Sequence, residues 1–460
     1  MKNKFQLQNG IKHVHFIGIG GISMSGLAEI LQRDGYTVSG SDWFASDITR
    51  QLSEKGIEIM LGNDAAHITD DIDLIVYTVA VKPNNPEFMA AQAKKIPCID
   101  RASLLGIIMK GYEYSIAVAG VHGKTSTTAI ISEMLLAAKL DPTISIGGFM
   151  ESIGSNFRIG DSPYMVLEAN EYYDDFLRFF PHVGIILNID ADHLDYFVTF
   201  ERLVDSFRLF AQNIPSDGAL IIHKDSQCFD EIVTGLTCRV ITYADEDSFW
   251  ARDVRYDENG LPSFYIMQAE KEITHIKLKL RGKHNIDNAL AAAAVASFYG
   301  IPADGISQAS GTKRRFEHKG MWGAVSIVDD YAHHPTEVKA ALSAAANGAS
   351  KRIVCAFQPH MYSRTQSLLD EFSAAFEQAD VILILPVYAA REVATGPDPN
   401  YLVKQLTKGI NNHGKEAYFF DSFEAAALWL KNNCRDGDLL ITMGAGDINV
   451  LGEGLISGAY

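Results

Sequence analysis

The feature that most constrains this chain lies near residue 120, where the sequence reads SIAVAGVHGKTSTT. An apolar run predicts a buried strand, and the residues after it predict a helix. Glycines between them let backbone N–H groups crowd round an anion, a lysine neutralises outer phosphates, and a hydroxyl can hold Mg²⁺. The segment therefore predicts a phosphate-binding loop made of Gly120, Val121, His122, Gly123, Lys124, Thr125 and Ser126.

This loop departs from the usual spacing, which requires its first glycine at the position of Val118. Gly120 supplies a tighter version of the turn. The alternative is a chance Gly-Lys-Thr at an ordinary strand–helix turn, and that interpretation stays open at this stage.

Short apolar runs alternate with amphipathic stretches along the whole chain, which predicts an α/β fold with mainly parallel sheets. Breaks near residues 111 and 319 predict three domains. The expected fold is a Rossmann-like N-terminal domain over 1–111, a central phosphate-loop domain with a mainly parallel sheet over 112–318, and a Rossmann-like C-terminal domain over 319–460. The alternating segment from about 244 to 280 predicts an antiparallel edge.

Two polar groups follow apolar strands near the loop. Glu168 ends the run Tyr164–Leu167, and His193 lies just beyond the run Val183–Leu187. If those strands flank the one that feeds the loop, both side chains reach one edge of the sheet, and Glu168 with Thr125 offers the oxygen ligands that Mg²⁺ prefers. His193 is equally consistent with a hydrogen-bonded structural histidine. A solvated acidic face is one reading of Glu171, Asp174 and Asp175.

The N-terminus carries a second glycine turn, at Gly18, Gly20 and Gly21, followed by Asp42 at the end of the next predicted strand. A full dinucleotide fingerprint needs glycine where Ser23 stands. We interpret the turn as a site for some phosphorylated ligand. NAD is one alternative, and a tight turn without a ligand is another.

Composition excludes some classes of partner. The chain has 460 residues with 57 acidic against 40 basic side chains, a formal net charge of −17. Binding to nucleic acid or to an anionic membrane needs a basic face, so neither is expected. The sequence has five scattered cysteines, no signal-like N-terminus and no apolar run long enough for a bilayer. These features predict a cytoplasmic enzyme. They leave its oligomeric state open between a monomer and a homodimer.

Nine blocks in order carry a resemblance: HFIGIGGISMSGLAEIL, AGVHGKTSTT, EANEYYDDFL, NIDADHLDYF, GKHNIDNALAA, RRFEHKG, DDYAHHPTEV, FQPHMYSRT and GAGDI. Together they resemble the Mur ligase family, and within it the alanine-adding members, over residues 13–455. The resemblance implies that the first domain binds UDP-N-acetylmuramate, the second binds ATP with Mg²⁺ or Mn²⁺, and the third closes over both. The implied reaction joins L-alanine to a carboxylate through an acyl phosphate.

The resemblance also implies roles for individual residues. Lys124 contacts the phosphates, Thr125 and Glu168 bind the metal, and His193 matches a second metal position. The remaining implied ATP contacts are His284, Asn285, Asn288, Arg315 and Asp330. The implied substrate contacts are Gly18, Gly20, Gly21, Ser25, Asp42, His360 and Arg364. His334 is a candidate base for the attacking amine, with a structural histidine as the alternative.

Two positions depart from the family pattern, because many relatives have aspartate at Asn170 and threonine at Val121. Both lie beside the expected metal and nucleotide. Two function classes rival the ligase: an NAD-dependent dehydrogenase, which leaves the phosphate loop unexplained, and a non-catalytic nucleotide sensor, which does not need all nine blocks.

Overall fold

The structure is a computed structural model that describes residues 7, 10–78, 80–348, 351–390, 392 and 398–460. The chain divides into two compact units. Unit 1 comprises Met1–Phe249 with Ala291–Gly305, and unit 2 comprises Trp250–Leu290 with Ile306–Tyr460. The helix Lys283–Tyr299 contributes residues to both.

Unit 1 opens with a five-stranded parallel sheet in the order β3-β2-β1-β4-β5. Side-chain caps at Ser46, Asn85 and Asp100 accept the first free N–H groups of three of its helices and so fix where they begin. The strands are β1 (His13–Ile17), β2 (Thr37–Asp42), β3 (Glu58–Leu61), β4 (Leu74–Tyr77) and β5 (Cys98–Asp100), and the helices are α1 (Ile22–Arg33), α2 (Asp47–Glu54), α3 (Pro86–Ala93) and α4 (Arg101–Met109).

A second sheet in unit 1 runs in the order β12-β11-β10-β6-β9-β7-β8, parallel except for the β7–β8 pair. Its strands are β6 (Tyr114–Ala119), β7 (Thr143–Met150), β8 (Ser155–Arg158), β9 (Tyr164–Glu168), β10 (Val183–Ile186), β11 (Ala219–His223) and β12 (Arg239–Tyr243). Its helices are α5 (Lys124–Ala137), α6 (Leu194–Phe197), α7 (Phe200–Gln212) and α8 (Phe229–Val233). The strand β6 therefore lies between β10 and β9, the arrangement on which the predicted metal site depends.

Unit 2 contains an antiparallel pair, β14 with β15, and a six-stranded sheet in the order β16-β17-β21-β18-β19-β20. Only β16 runs antiparallel among the pairs of that sheet. The elements after β12 are β13 (Phe249–Tyr256), β14 (Pro262–Gln268), β15 (Lys271–Lys277), α9 (Lys283–Tyr299), β16 (Glu317–Trp322), β17 (Val325–Asp330), α10 (Pro335–Ala346), β18 (Arg352–Phe357), α11 (Tyr362–Ser367), α12 (Leu369–Ser373), β19 (Val381–Ile384), α13 (Tyr401–Asn412), β20 (Glu416–Phe419), α14 (Phe423–Asn433), β21 (Asp438–Met443) and α15 (Asn449–Ser457).

The parallel sheets confirm the predicted α/β class, and β14 with β15 confirm the antiparallel segment. The sequence reading missed the short edge strands β16 and β20. In the parts of the chain that the structure describes, no helix has the length and apolar character needed to cross a bilayer.

Three aromatic side chains form a packed group within the core of unit 1. Phe176, which follows β9, stacks on Phe210 of α7 with ring centroids 5.0 Å apart and meets Phe207 edge-on at 5.2 Å. All three side chains are fully buried. They fasten α7 to the loop after β9, so the segment that follows Glu168 is anchored on packed rings.

We predict that Phe210→Ala lowers the free energy of unfolding by about 3–5 kcal/mol, because it leaves a cavity among these rings. Leu209 is the matched control, since it is the preceding residue of α7 and is 42% exposed. Leu209→Ala is expected to change stability by less than about 0.5 kcal/mol. Urea unfolding followed by circular dichroism measures both, and equal losses would contradict this account of the core.

Candidate functional site

The predicted phosphate loop lies between β6 and α5, and α5 begins at Lys124. Gly120 and Gly123 have φ values of +135° and +86°, which side-chain-bearing residues rarely adopt. A Cβ on Gly120 would also stand 3.0 Å from the Leu187 Cβ. The backbone of the loop therefore passes close to the end of β10, and glycine is required there.

Asn188, which the sequence analysis did not single out, fastens the loop to the segment after β10. The His122 N–H donates to Asn188 Oδ1 over 2.8 Å, and Asn188 Nδ2 donates to the His122 carbonyl over 2.9 Å. The Val121 N–H donates to the Asn188 carbonyl at 3.2 Å. Three hydrogen bonds to one residue give the loop a fixed shape.

Lys124 is held inside this loop. Its Nζ donates to the carbonyl oxygens of Gly120 at 2.6 Å and Val121 at 3.0 Å, and to the two Glu171 carboxylate oxygens at 2.9 and 3.1 Å. The side chain of Glu171 is only 1% exposed. The solvated acidic face considered for Glu171 is therefore wrong, because this carboxylate is a buried counterion.

The other two acids of that face are also structural. Asp174 has a φ of +57° and accepts hydrogen bonds from Tyr196 at 2.8 Å and Arg202 at 2.6 Å. Asp175 lies 3.5 Å from Arg101, and burial raises the pKa of its carboxyl group. Because each of these three acids has its own partner, the polar segment after β9 is held in place by hydrogen bonds and ion pairs.

The structure brings the expected metal-binding groups to the same edge of the sheet. Glu168 is the last residue of β9, and its Oε2 accepts the Gly147 N–H at 2.8 Å. Thr125 is buried in the first turn of α5. A carboxylate and a hydroxyl beside a phosphate loop are hard oxygen donors, so their chemistry suits Mg²⁺.

His193 has a left-handed backbone, with φ of +55°. Its Nε2 lies 3.7 Å from Glu171 Oε1 and 3.7 Å from Asp192 Oδ2, and its ring centroid is 4.5 Å from that of Tyr172. Asn170, where many relatives have aspartate, accepts the Tyr172 N–H through its Oδ1 at 3.2 Å. These contacts orient the imidazole toward the carboxylate that also holds Lys124.

The N-terminal glycine turn is braced by the next strand. The Gly20 N–H donates to Asp42 Oδ2 at 2.8 Å, and a Cβ on Gly20 would stand 2.8 Å from that oxygen. Gly18 has a φ of +83° and donates its N–H to the Ser41 carbonyl at 2.9 Å. Asp42 thus orders the turn itself, while Ser25 Oγ donates to the Ile22 carbonyl inside α1.

In unit 2 the start of α9 presents three of the predicted residues. Asn285 Nδ2 donates to the Arg281 carbonyl at 2.7 Å, and Asn288 Nδ2 donates to Asn285 Oδ1 at 3.0 Å. The side chain of His284 is exposed, yet desolvation by the groups around it, and then the positive charge of Arg315, lowers its pKa below the usual value. His284 is therefore a neutral imidazole at physiological pH.

The end of β17 carries Asp330, which accepts the N–H groups of Phe316 and Ala332, each at 2.8 Å. Burial raises the pKa of its carboxyl group to about 6, against the opposing effect of Arg315. Arg315 lies 3.9 Å from Glu337 and over the Tyr331 ring at 5.4 Å. The Asp330 carboxylate therefore shapes the segment that carries the arginine.

His334 caps α10, with Nδ1 accepting the Thr336 N–H at 3.4 Å. His360 stacks on Tyr388 at a centroid distance of 5.7 Å, and its Nδ1 lies 3.3 Å from Arg364 Nη1. Arg364 is nine-tenths buried at the start of α11. The two predicted substrate residues, His360 and Arg364, therefore contact each other in the segment that follows β18.

Three protein-family models match successive stretches of the chain. The Mur ligase family catalytic domain matches residues 13–113, the Mur ligase middle domain matches 118–296, and the Mur ligase glutamate ligase domain matches 314–446. A UDP-N-acetylmuramate–L-alanine ligase of Agathobacter rectalis is 48% identical, covering 96% of this chain and 97% of that protein.

The chain belongs to the Mur ligase family. The same printed name attaches to a relative from Acetivibrio thermocellus, 47% identical over 97% of this chain and 96% of that protein. Among solved structures, the UDP-N-acetylmuramate–alanine ligase of Thermotoga maritima matches with a TM-score of 0.77 at 26% identity, covering 97% and 99% of the two chains. A murein peptide ligase from Psychrobacter arcticus, 23% identical with a TM-score of 0.66, shares the fold. The predicted three-domain α/β fold is confirmed.

Two contacts of this Mur ligase were beyond the sequence reading. The guanidinium of Arg314 donates to Asp329 at 2.8 Å and to the carbonyls of Gly446 at 2.9 Å and Gly444 at 2.7 Å. Glu337 accepts the His333 N–H at 3.1 Å. Both residues lie within blocks that carry the family resemblance, and that position was the only available signal.

We predict that His284 makes stability depend on pH. As pH drops below 6.5 the unfolded chain takes up a proton here more readily than the folded chain does, so the free energy of unfolding falls. Because the His284 side chain is exposed and water screens its interactions, the total loss should stay below about 1 kcal/mol. His284→Gln should abolish this part of the loss, whereas His275→Gln, on β15, should retain it. Urea unfolding at a series of pH values measures it, and identical slopes for both variants would refute the assignment.

Proposed function

We propose that this protein is an ATP-dependent ligase that joins L-alanine to the lactyl carboxylate of UDP-N-acetylmuramate, releasing ADP and phosphate. The observation that carries the proposal is Lys124 at the start of α5, within a braced glycine loop, with Glu168 at the end of the strand that pairs with β6. The near full-length relatives at 47–48% identity, whose names state that reaction, support the choice of substrates.

The three family matches support a division of labour among domains, which we propose as 1–111 for the UDP-sugar, 112–318 for ATP and 319–460 for closure and the amino acid. Because β16 (Glu317–Trp322) pairs with β17, we move the last boundary to just before Glu317. In the first domain the sugar nucleotide meets Gly18, Gly20, Gly21, Ser25 and Asp42.

For ATP we propose the loop residues 120–126, with the backbone N–H groups and Lys124 around the outer phosphates. Asn285 and Asn288 offer amides, and neutral His284 offers an apolar face, for the adenine. Arg315 supplies positive charge, and Asp330 fixes the segment that carries it.

For the metal we propose Thr125, Glu168 and His193 as ligands. A bound Mg²⁺ or Mn²⁺ neutralises charge on the phosphates. Glu168 is oriented by Gly147, and His193 by Asp192 and Tyr172, so the chain presents both side chains in fixed positions.

The proposed chemistry begins with transfer of the ATP γ-phosphoryl group to the lactyl carboxylate, which turns a poor acyl donor into an acyl phosphate. The alanine amine then attacks, and phosphate leaves. Lys124 stabilises the transferring charge, and Arg364 binds the alanine carboxylate through its paired N–H donors. His334 is our candidate to accept the proton of the attacking amine.

We predict phosphate release that requires ATP, UDP-N-acetylmuramate, L-alanine and Mg²⁺ together. A phosphate assay with each component omitted in turn tests this directly. Release that ignores the amino acid would leave only a nucleotide hydrolase, and reduction of NAD by any hydroxy substrate would favour the dehydrogenase. A preformed tripeptide in place of L-alanine is expected to give the lower specificity constant.

We predict that Arg364→Ala raises the KM for L-alanine by at least about tenfold, because a bidentate carboxylate contact is lost. The exposed Arg435→Ala is the matched control and should keep the KM of the unaltered enzyme. Initial rates at saturating ATP and UDP-sugar measure the effect. An unchanged KM for alanine in the Arg364 variant would remove this residue from the acceptor site.

We predict that Lys124→Ala lowers kcat by orders of magnitude, because it removes a charge that meets the transferring phosphoryl group. The single variant also strands the buried Glu171, so its thermal midpoint should fall. Lys124→Ala with Glu171→Gln is expected to recover the midpoint and stay inactive. Recovery of activity in the double variant would mean that the lysine serves only to stabilise the loop.

A further inference from the structure

The buried carboxylate of Glu171 stands between two groups of the proposed ATP site. On one side it accepts Lys124 Nζ at 2.9 and 3.1 Å, and on the other its Oε1 lies 3.7 Å from His193 Nε2. The side chains of Glu171 and Lys124 are 1% and 13% exposed, so water screens their interaction poorly. No role assigned above to the loop or the metal ligands accounts for this acid.

The ammonium of Lys124 is fully used by these contacts. It has three N–H donors, and the carbonyls of Gly120 and Val121 and the Glu171 carboxylate take them. The lysine that should meet ATP is therefore committed to its own loop. Binding of a phosphate by Lys124 requires at least part of this arrangement to open.

Opening the pair has an electrostatic consequence. A carboxylate buried to this degree costs several kcal/mol when it loses its counterion. The nucleotide adds further negative charge close by, which raises that cost. A cation held by His193 and Glu168 would relieve both effects, because His193 Nε2 lies 3.7 Å from Glu171 Oε1 and the cation would bring positive charge near that carboxylate.

We propose that Glu171 is a positioning residue that couples the binding of ATP to the binding of a divalent cation. Glu171 holds Lys124 against the loop until a nucleotide arrives, and the cation then replaces the ammonium as the counterion of Glu171. The inference rests on the proposed function, because it takes ATP and Mg²⁺ as the ligands. The coupling is reciprocal, so nucleotide must tighten cation binding by the factor by which cation tightens nucleotide binding.

The test is calorimetric binding of ADP, which the enzyme does not consume, in EDTA and in saturating MgCl₂. Glu171→Gln keeps the shape of the side chain and removes its charge. In EDTA this variant should bind ADP about tenfold more tightly than the unaltered enzyme, because Lys124 is released and a repulsive charge is gone. The ratio of the two dissociation constants, EDTA over MgCl₂, should shrink by a similar factor.

Asp175→Asn is the matched control. Asp175 is also an acid with a basic partner, Arg101, and it lies four residues after Glu171 in the same segment. This variant should leave the ratio of dissociation constants as it is in the unaltered enzyme. If Glu171→Gln does not fold, as judged by circular dichroism, Glu171→Asp is used instead, and its shorter reach should shrink the ratio to a smaller extent.

The outcomes separate two failures. If the unaltered enzyme binds no ADP in either condition, the proposed function falls. If it binds ADP and Glu171→Gln has an unchanged ratio, or binds ADP more weakly in EDTA, the coupling role of Glu171 is overturned while the proposed function stands.

Discussion

The close approach of the Gly120 backbone to the end of β10 is the constraint on which the rest of the site in unit 1 depends. Since a Cβ there would stand 3.1 Å from the Leu187 nitrogen, the residue that follows β6 has to be glycine, and the chain enters α5 four residues later, at Lys124. The turn therefore places the N-terminus of α5 just beyond the carboxyl end of β6. The same packing lets Asn188 reach back to the loop, so β10 both excludes a side chain and supplies the brace.

Local charge compensation explains how a chain with net charge −17 prepares a site for anions. Lys124 is held by Glu171, and Asp329 by Arg314, each over about 3 Å. Buried charges are stable only when they are paired, and each of these charges has a partner from another segment of the chain. The positive charge at the loop is therefore that of Lys124, held against the Gly120 and Val121 carbonyls, whatever the net charge of the chain.

The sequence was sufficient for the loop, for the central parallel strands of each sheet and for the convergence of Glu168 with the loop, because each follows from local periodicity and from the rule that parallel strands end at one edge. Other parallel strands, such as β3, β5 and β11, were not predicted. The sequence did not predict that Glu171 is the buried counterion of Lys124. An acid in a polar run after a strand has the composition of a solvated loop, and its partner Lys124 is 47 residues away. The short strands β16 and β20 were missed for a related reason: half-exposed edge strands have no continuous apolar run.

Two of the family blocks, FQPHMYSRT and GAGDI, contact each other directly, which explains why they occur together. A Cβ on Gly444, whose φ is +147°, would stand 2.5 Å from the Gln358 carbonyl, and one on Gly446 would stand 2.3 Å from Gln358 Oε1. Gln358 Nε2 in turn donates to Asp447 at 2.8 Å. Because β18 and β21 are neighbours, FQPH needs a glycine-rich partner, and GAGD is that partner. Arg314 then ties the carbonyls of both glycines to β17, so a change in any one block strains the other two.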